Sequence, residues 1–245
     1  EEDMKVAQKL VALGVISEAD TETLTDTIRR SQIIPLLTKL AGFENATANA
    51  PATSPFLDVS VYDEQIGAYS SLYKSGYISG DENRMFRPND LLTYNEAITL
   101  VINIMDYKLF AMRNGGYPTG YLYTANTYKL LEGLSGSGED PIPWFDVYRI
   151  LNHALDANAV VTSSFVGSGE AEFTLQNDLT ILEDRYKIKK ITGIVTGNEN
   201  TRLRSDDSSR IGRYQIEIDR VVYDTPEQEY ASFLGKAVTA YLKTN

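Results

Sequence analysis

Thr93-Tyr94-Asn95-Glu96 is a capping box. The threonine hydroxyl and the glutamate carboxylate can satisfy each other's exposed backbone N–H groups, which stabilises a helix start by roughly 1 kcal/mol. Asp58 reads as a residue that caps or braces a turn. Arg30, beside Arg29, is a cation that can meet an anionic ligand or simply stand in solvent. Trp144 follows Pro143 at a helix start, where an indole serves either as a platform for a sugar ring or as core. Asp81-Glu82-Asn83 has oxygen ligands but lacks the alternating acidic spacing and terminal glutamate of a calcium loop. Gly136-Ser137-Gly138 and Gly167-Ser168-Gly169 have no following Lys-Ser/Thr, so neither is a phosphate loop. A Ser-His-Asp triad would have to use His153, the single histidine, and no G-x-S-x-G elbow accompanies it. The chain has no cysteine, which excludes disulfides, thiolate catalysis and cysteine zinc sites. No catalytic set, metal site or cofactor is indicated.

The elements that must position these residues show in the apolar periodicity. Ile98, Val101, Ile102 and Met105 recur at helical spacing. Val147, Ile150, Leu151, Ala154 and Leu155 do the same, as do Ile33, Ile34, Leu37, Leu40 and Ala41, although Pro35 should weaken the first turn of that helix. Each stripe follows an earlier short helix: Leu13-Gly14-Val15-Ile16-Ser17 is echoed by Lys74-Ser75-Gly76-Tyr77-Ile78-Ser79-Gly80 and, more weakly, by Leu130-Leu131-Glu132-Gly133. Gly14 and Gly76 stand where a helix should end in a left-handed residue. Matching stripes are best buried against one another, which predicts a helical domain of three helix–loop–helix repeats, about 1–43, 56–107 and 117–158.

From 161 to 170 the chain is small and polar and reads as a linker. Beyond it the period becomes two, as in Tyr214, Ile216, Ile218 and in Val238, Ala240, Leu242, with Lys187 to Val195 also strand-like. Gly193 is expected at a bulge or bend, and a short helix is expected within Pro226 to Leu234, ended by Gly235. The fold class is therefore α+β: an all-α domain over 1–160 and a small β-barrel-like module over 171–245.

The 245 residues carry a net charge of −11, which disfavours nucleic acid as a partner. No run approaches the roughly 20 apolar residues of a membrane span, so no membrane insertion is expected. Glu1-Glu2-Asp3 reads as a mature N-terminus from which a signal peptide has been removed, and the strand reaching the last residues suggests a piece of a longer chain.

The second repeat reads Phe56-Leu57-Asp58-Val59, Gly76-Tyr77-Ile78-Ser79-Gly80, Phe86-Arg87-Pro88 and Leu92-Thr93-Tyr94-Asn95-Glu96-Ala97. It resembles the S-layer homology repeat, whose pattern is F-x-D-V, G-I-I-x-G, F-x-P and I-T-R-A-E. Gly115-Gly116-Tyr117-Pro118-Thr119-Gly120-Tyr121 is similar to a form of the third repeat in envelope proteins of clostridia-like Gram-positive bacteria. The later module resembles β-domains that accompany such repeats, through Ile194-Val195 and Leu234-Gly235-Lys236. The resemblance implies a pseudo-threefold helical domain in a secreted protein of the cell wall. It implies a non-catalytic anchor that grips the secondary polysaccharide linked to peptidoglycan, often a pyruvylated one, and that can meet other envelope proteins. An anionic ketal on a sugar suits an arginine, with an aromatic ring against the sugar face. Aligned on the stripes, the family arginine falls on Arg30, Tyr94 and Trp144, the family glutamate on Gln32, Glu96 and Asp146, and the tryptophan after F-x-D-V on Tyr62. These seven are the polysaccharide-binding residues the resemblance implies. Only the first repeat keeps the cation, so the alternative is a structural or assembly module that has lost glycan binding.

Overall fold

The structure, a computed structural model, describes residues 2–43, 53–165, 171–203, 211–226 and 231–244. The chain is α+β and divides into two compact bodies, Glu1–Arg185 and Tyr186–Asn245.

In the helical body, the first of the three expected repeats is α1 (Glu2–Ala12) and α2 (Ile34–Leu40). The second is α3 (Ile66–Lys74) and α4 (Tyr94–Ile104), followed by a short α5 (Lys108–Arg113). The third is α6 (Thr119–Thr127) and α7 (Trp144–Asp156). The apolar stripes of α2, α4 and α7 are buried as their spacing predicts, with Ile33, Ile34, Leu37, Leu40, Ile102, Ile150 and Leu151 fully excluded from solvent. Pro35 does not damage α2, because it falls in the first turn, where a helix has no use for that N–H.

Three short extended segments, one before each of α2, α4 and α7, tie the repeats together. Leu92 N–H donates to Ile28 O (2.8 Å), Ile142 N–H to Leu92 O (2.9 Å) and Ile28 N–H to Ile142 O (3.1 Å), closing a ring. All three side chains are fully buried at its centre. The ring satisfies backbone groups that would otherwise be orphaned inside the core. It thereby sets where each second helix begins.

Gly14 and Gly76 end their helices at φ +73 and +74. The residue after each donates back to the preceding turn, Val15 N–H to Leu10 O and Tyr77 N–H to Leu72 O. In the third repeat the same bond runs from Leu130 N–H to Ala125 O, so the left-handed residue there is Lys129, at φ +61, four residues before Gly133. A lysine in that role hides the repeat from a search for glycine.

After α7, strands β1 (Asn158–Phe165) and β2 (Ala171–Thr180) pair antiparallel and lead into α8 (Ile181–Tyr186). The segment expected as a linker thus runs as strand up to Phe165; residues 166–170 lie outside the described residues. Buried Ile181 and Leu182, the bond from Tyr107 Oη to Asn158 O and Arg185 Nη1 to Leu40 O tie hairpin and α8 to the helices. This is why the bodies divide at Arg185 rather than near Val161. A run of small polar residues shows no apolar alternation, and its strand depends on backbone pairing instead.

The second body is a four-stranded antiparallel sheet of β3 (Ile188–Gly197), β4 (Gln215–Ile218), β5 (Val221–Asp224) and β6 (Ala237–Lys243), in the order β5-β4-β3-β6. Val195, Ile216 and Ile218 form its core, covered by Ile191, Tyr223, Leu234, Val238 and Ala240. No pairing among the described residues closes the sheet into a barrel. The bulge lies between Val195 and Gly197, not at Gly193, which stays in register with Val238. Gly193 is needed for space: a Cβ there would stand 2.6 Å from Ile218 Cγ2. A single 3-10 turn, Ala231–Phe233, precedes Gly235 at φ +78.

Candidate functional site

The ring places Arg30, Tyr94 and Trp144 in equivalent positions. Their backbone N–H groups donate to Asp90 O (3.0 Å), Asp140 O (3.1 Å) and Asp26 O (3.0 Å). The next residues repeat the pattern, Ser31 to Pro88 O, Asn95 to Gly138 O and Phe145 to Leu24 O. Gln32, Glu96 and Asp146 therefore hold one position relative to the ring, Glu96 and Asp146 in the first turns of α4 and α7 and Gln32 in the turn before α2, and each junction joins one repeat to another. The side chains there differ.

At the first junction Arg30 is locked in. Its Nη1 lies 2.6 Å from Glu96 Oε1, its Nε donates to Phe86 O at 2.7 Å, and its guanidinium lies over the Phe86 ring. Only 8% of Arg30 is exposed. Glu96 also receives Arg87 Nη2 at 3.2 Å, while its Oε2 caps Thr93 N–H at 3.1 Å, completing the capping box with Thr93 Oγ1. Asp58 braces the same wall by accepting from the N–H groups of Phe86 and Arg87.

At the second junction Tyr94 replaces the arginine and Asp146 the glutamate. The phenol donates to Asp146 Oδ2 and lies 3.1 Å from Ser135 Oγ. Asp146 is fully buried and also accepts from Ser135 N–H (3.0 Å), Ser135 Oγ (2.6 Å) and Arg149 Nη1 (3.1 Å). Gly136 lies so close that a Cβ would stand 2.7 Å from the Tyr94 ring. An ion pair between repeats has become a neutral phenol bonded to a carboxylate, and the junction is plugged.

At the third junction Trp144 stacks on Tyr148, centroids 5.5 Å apart, and Gln32 Oε1 caps Arg29 N–H at 2.7 Å. Pro143 has no N–H for Asp146 to cap, which leaves that carboxylate for the second junction. Tyr62, at 92% exposure, stands apart from all of these contacts.

Beside the first junction lies a cleft of about 570 Å³, walled by Arg30, Glu96, Arg87, Tyr77, Lys108 and Tyr117 among others. A second hollow of about 570 Å³ shares Gly76, Tyr77, Asn103, Lys108 and Met112 with it. Tyr121, also in the cleft wall, donates to Asn103 Oδ1 at 3.1 Å, and Tyr77 to Asp106 Oδ1 at 3.0 Å. Asp106 in turn holds Arg185 at 2.9 Å. Tyr117 is 55% exposed, its ring 6.5 Å from that of Tyr121. The wall thus offers phenol faces, fixed hydrogen-bonding groups and three cations against two carboxylates, Asp81 and Glu96. Both carboxylates are engaged, Asp81 by the N–H groups of Asn83 and Met85.

Of the seven side chains implied by the resemblance, the cleft gathers Arg30 and Glu96 alone; Tyr94 and Asp146 meet at the plugged junction. Sequence reasoning did not single out Tyr77, Lys108, Tyr117 or Tyr121. Tyr117 and Tyr121 lie in the Gly115-to-Tyr121 motif, whose turn residues drew attention first.

Burial pushes the Tyr94 phenol up to about 12, with the Asp146 hydrogen bond adding to it, and burial likewise pushes Tyr77 up to about 12, helped by Asp106. A phenol whose folded value exceeds its unfolded value of 10 lends stability fully below pH 10 and loses it as pH rises through the folded value. Melting temperature should therefore fall between pH 10 and about 12. Ultraviolet phenolate titration should show a late class of tyrosines ionising together with unfolding; free titration of all tyrosines near pH 10 in the folded protein would contradict this.

Residues 70–98, from α3 to α4, match the S-layer homology domain model. A cell surface protein of Thermoanaerobacter kivui is 29% identical over 134 residues, covering 54% of this chain and 17% of that protein. The middle cell wall protein of Brevibacillus brevis is 22% identical over 178 residues, 72% of this chain and 17% of its own length. A surface layer protein of Brevibacillus choshinensis is 20% identical over 153 residues, 62% and 13%. The chain carries an S-layer homology repeat, is similar to surface and wall proteins of Gram-positive bacteria, and spans less than a fifth of the length of these relatives.

Proposed function

We propose that the helical body is a non-catalytic anchor that holds its parent protein at the cell surface by non-covalent binding of the secondary polysaccharide linked to peptidoglycan. The three repeats act as one pseudo-threefold unit, an assignment supported by the closed backbone ring through Ile28, Leu92 and Ile142. The observation that carries the function is the cleft beside the first junction, where Tyr77, Tyr117 and Tyr121 stand with Arg87 and Lys108. Aromatic faces pack against the apolar faces of sugar rings, while the cations suit an acidic substituent such as a pyruvate ketal. The net charge of −11 disfavours nucleic acid as a partner.

A second reading, an envelope assembly module without glycan binding, draws support from the plugged second junction and from the burial of Arg30. Co-sedimentation with purified wall sacculi separates the two. The anchor should pellet with intact sacculi and stay in solution when the secondary polysaccharide has been stripped. Equal pelleting in both samples would remove the proposed function, and concentration-dependent self-association without any sugar would favour the assembly module.

A further inference from the structure

The arginine that the family pattern offers for anion capture has little freedom to perform it. Arg30 is spent on Glu96, on Phe86 O and on the Phe86 ring. A bound anion would have to displace a 2.6 Å ion pair that is largely buried. Arg87 faces the cleft with a half-exposed side chain, yet it already pairs with Glu96 and with Asp90. Lys108 differs. It opens α5, is exposed, lines both hollows where they share a wall, and has no hydrogen-bond or carboxylate partner among the described residues. The nearest acid in sequence, Asp106, is already held by Arg185 and by the Tyr77 hydroxyl.

Resting on the anchoring function proposed above, we infer that Lys108 is the residue that captures the acidic group of the wall polysaccharide. Arg30 acts instead as a positioning residue that holds the Glu96 wall of the cleft in place. The ligand class that follows is a saccharide whose carboxylate or phosphate lies near Tyr77 and Met112. A single ammonium is a compact point charge on a flexible stem and accepts either anion, whereas a free arginine fork would select for bidentate geometry. An exposed ammonium also binds in a salt-sensitive way, because ions screen it readily.

The test uses the whole chain with intact sacculi and with sacculi stripped of their secondary polysaccharide, across a series of salt concentrations. Lys108→Gln should weaken binding to intact sacculi about tenfold, the scale of one charged hydrogen bond, and flatten the salt dependence. Lys108→Arg should keep most of the affinity. Because Lys108 is exposed, the circular dichroism spectrum and melting point should not move. Selective removal of ketal carboxylates, compared with cleavage of phosphodiesters, shows which anion Lys108 meets. If the wild type binds intact sacculi and Lys108→Gln binds equally well with the same salt slope, the assignment of Lys108 is overturned while the anchor stands. If the wild type does not distinguish intact from stripped sacculi, the anchor itself falls, and the role of Lys108 with it.

Discussion

Glu96→Ala should lower the stability of the helical body by about 3 kcal/mol, because it strands the Arg30 guanidinium in a site with little water. At roughly 2–4 °C per kcal/mol for a body of this size, the melting point should drop by about 10 °C. Three losses combine: the Arg30 ion pair, the Arg87 contact and the cap on Thr93 N–H. The ion pair should dominate, since removing one partner of a buried pair costs far more than removing both. Arg30→Met in the same chain should therefore return part of the loss. A double-mutant cycle measures this, and additivity within about 0.5 kcal/mol would show that the two side chains do not depend on each other. The functional corollary follows from the same geometry. Arg30→Ala should reduce wall binding mainly by collapsing one wall of the cleft, and its melting point should fall in step with its affinity.

Asp146→Ala should cost even more, about 4 kcal/mol, because this carboxylate is fully buried and holds four donors. Alanine takes away the main acceptor of the Tyr94 hydroxyl and the acceptor of Ser135 N–H in a buried site. It also removes a negative charge from the first turn of α7, where the helix dipole favours one. Tyr94→Phe deletes a single donor and should cost about 1–2 kcal/mol. In chemical denaturation the double variant should be no less stable than Asp146→Ala by more than about 0.5 kcal/mol, because the phenol has already lost its main acceptor. An Asp146→Ala melting point within 2 °C of the wild type would mean that the second junction is not held by this network. Wall binding by Tyr94→Phe should equal that of the wild type, as the plugged junction is separate from the cleft residues.

Much of the fold was legible because burial leaves a periodic trace. The stripes of α2, α4 and α7 appear at helical spacing, and the alternation around Ile216 and Ile218 marks a strand, although Glu217 between them is buried as well, held by Thr196 and Arg202. The capping box at Thr93 and Glu96 was readable because both partners lie within one turn. Turn chemistry was legible only where glycine supplied it. Lys129 takes the same left-handed geometry without advertising it, so the third echo, Leu130 to Gly133, was in register but looked weaker than the others. The 158–165 strand was missed because Thr162, Ser163 and Ser164 break any alternation of its apolar residues, and what makes it a strand is the pairing with 171–180.

By itself, the sequence determined which residues lead into each second helix and which chemical groups stand there: one arginine, one tyrosine and one tryptophan. Only the tertiary structure decided what those groups do, because the partners lie in other repeats. Glu96 is 66 positions beyond Arg30, and Asp146 is 52 beyond Tyr94. Whether a cation is available to a ligand depends on what else reaches it through space, and a linear pattern holds no record of that. The same reason hid the cleft: Tyr77, Lys108 and Tyr117 belong to separate elements, and only the packing of α3, α4, α5 and α6 brings them to one wall.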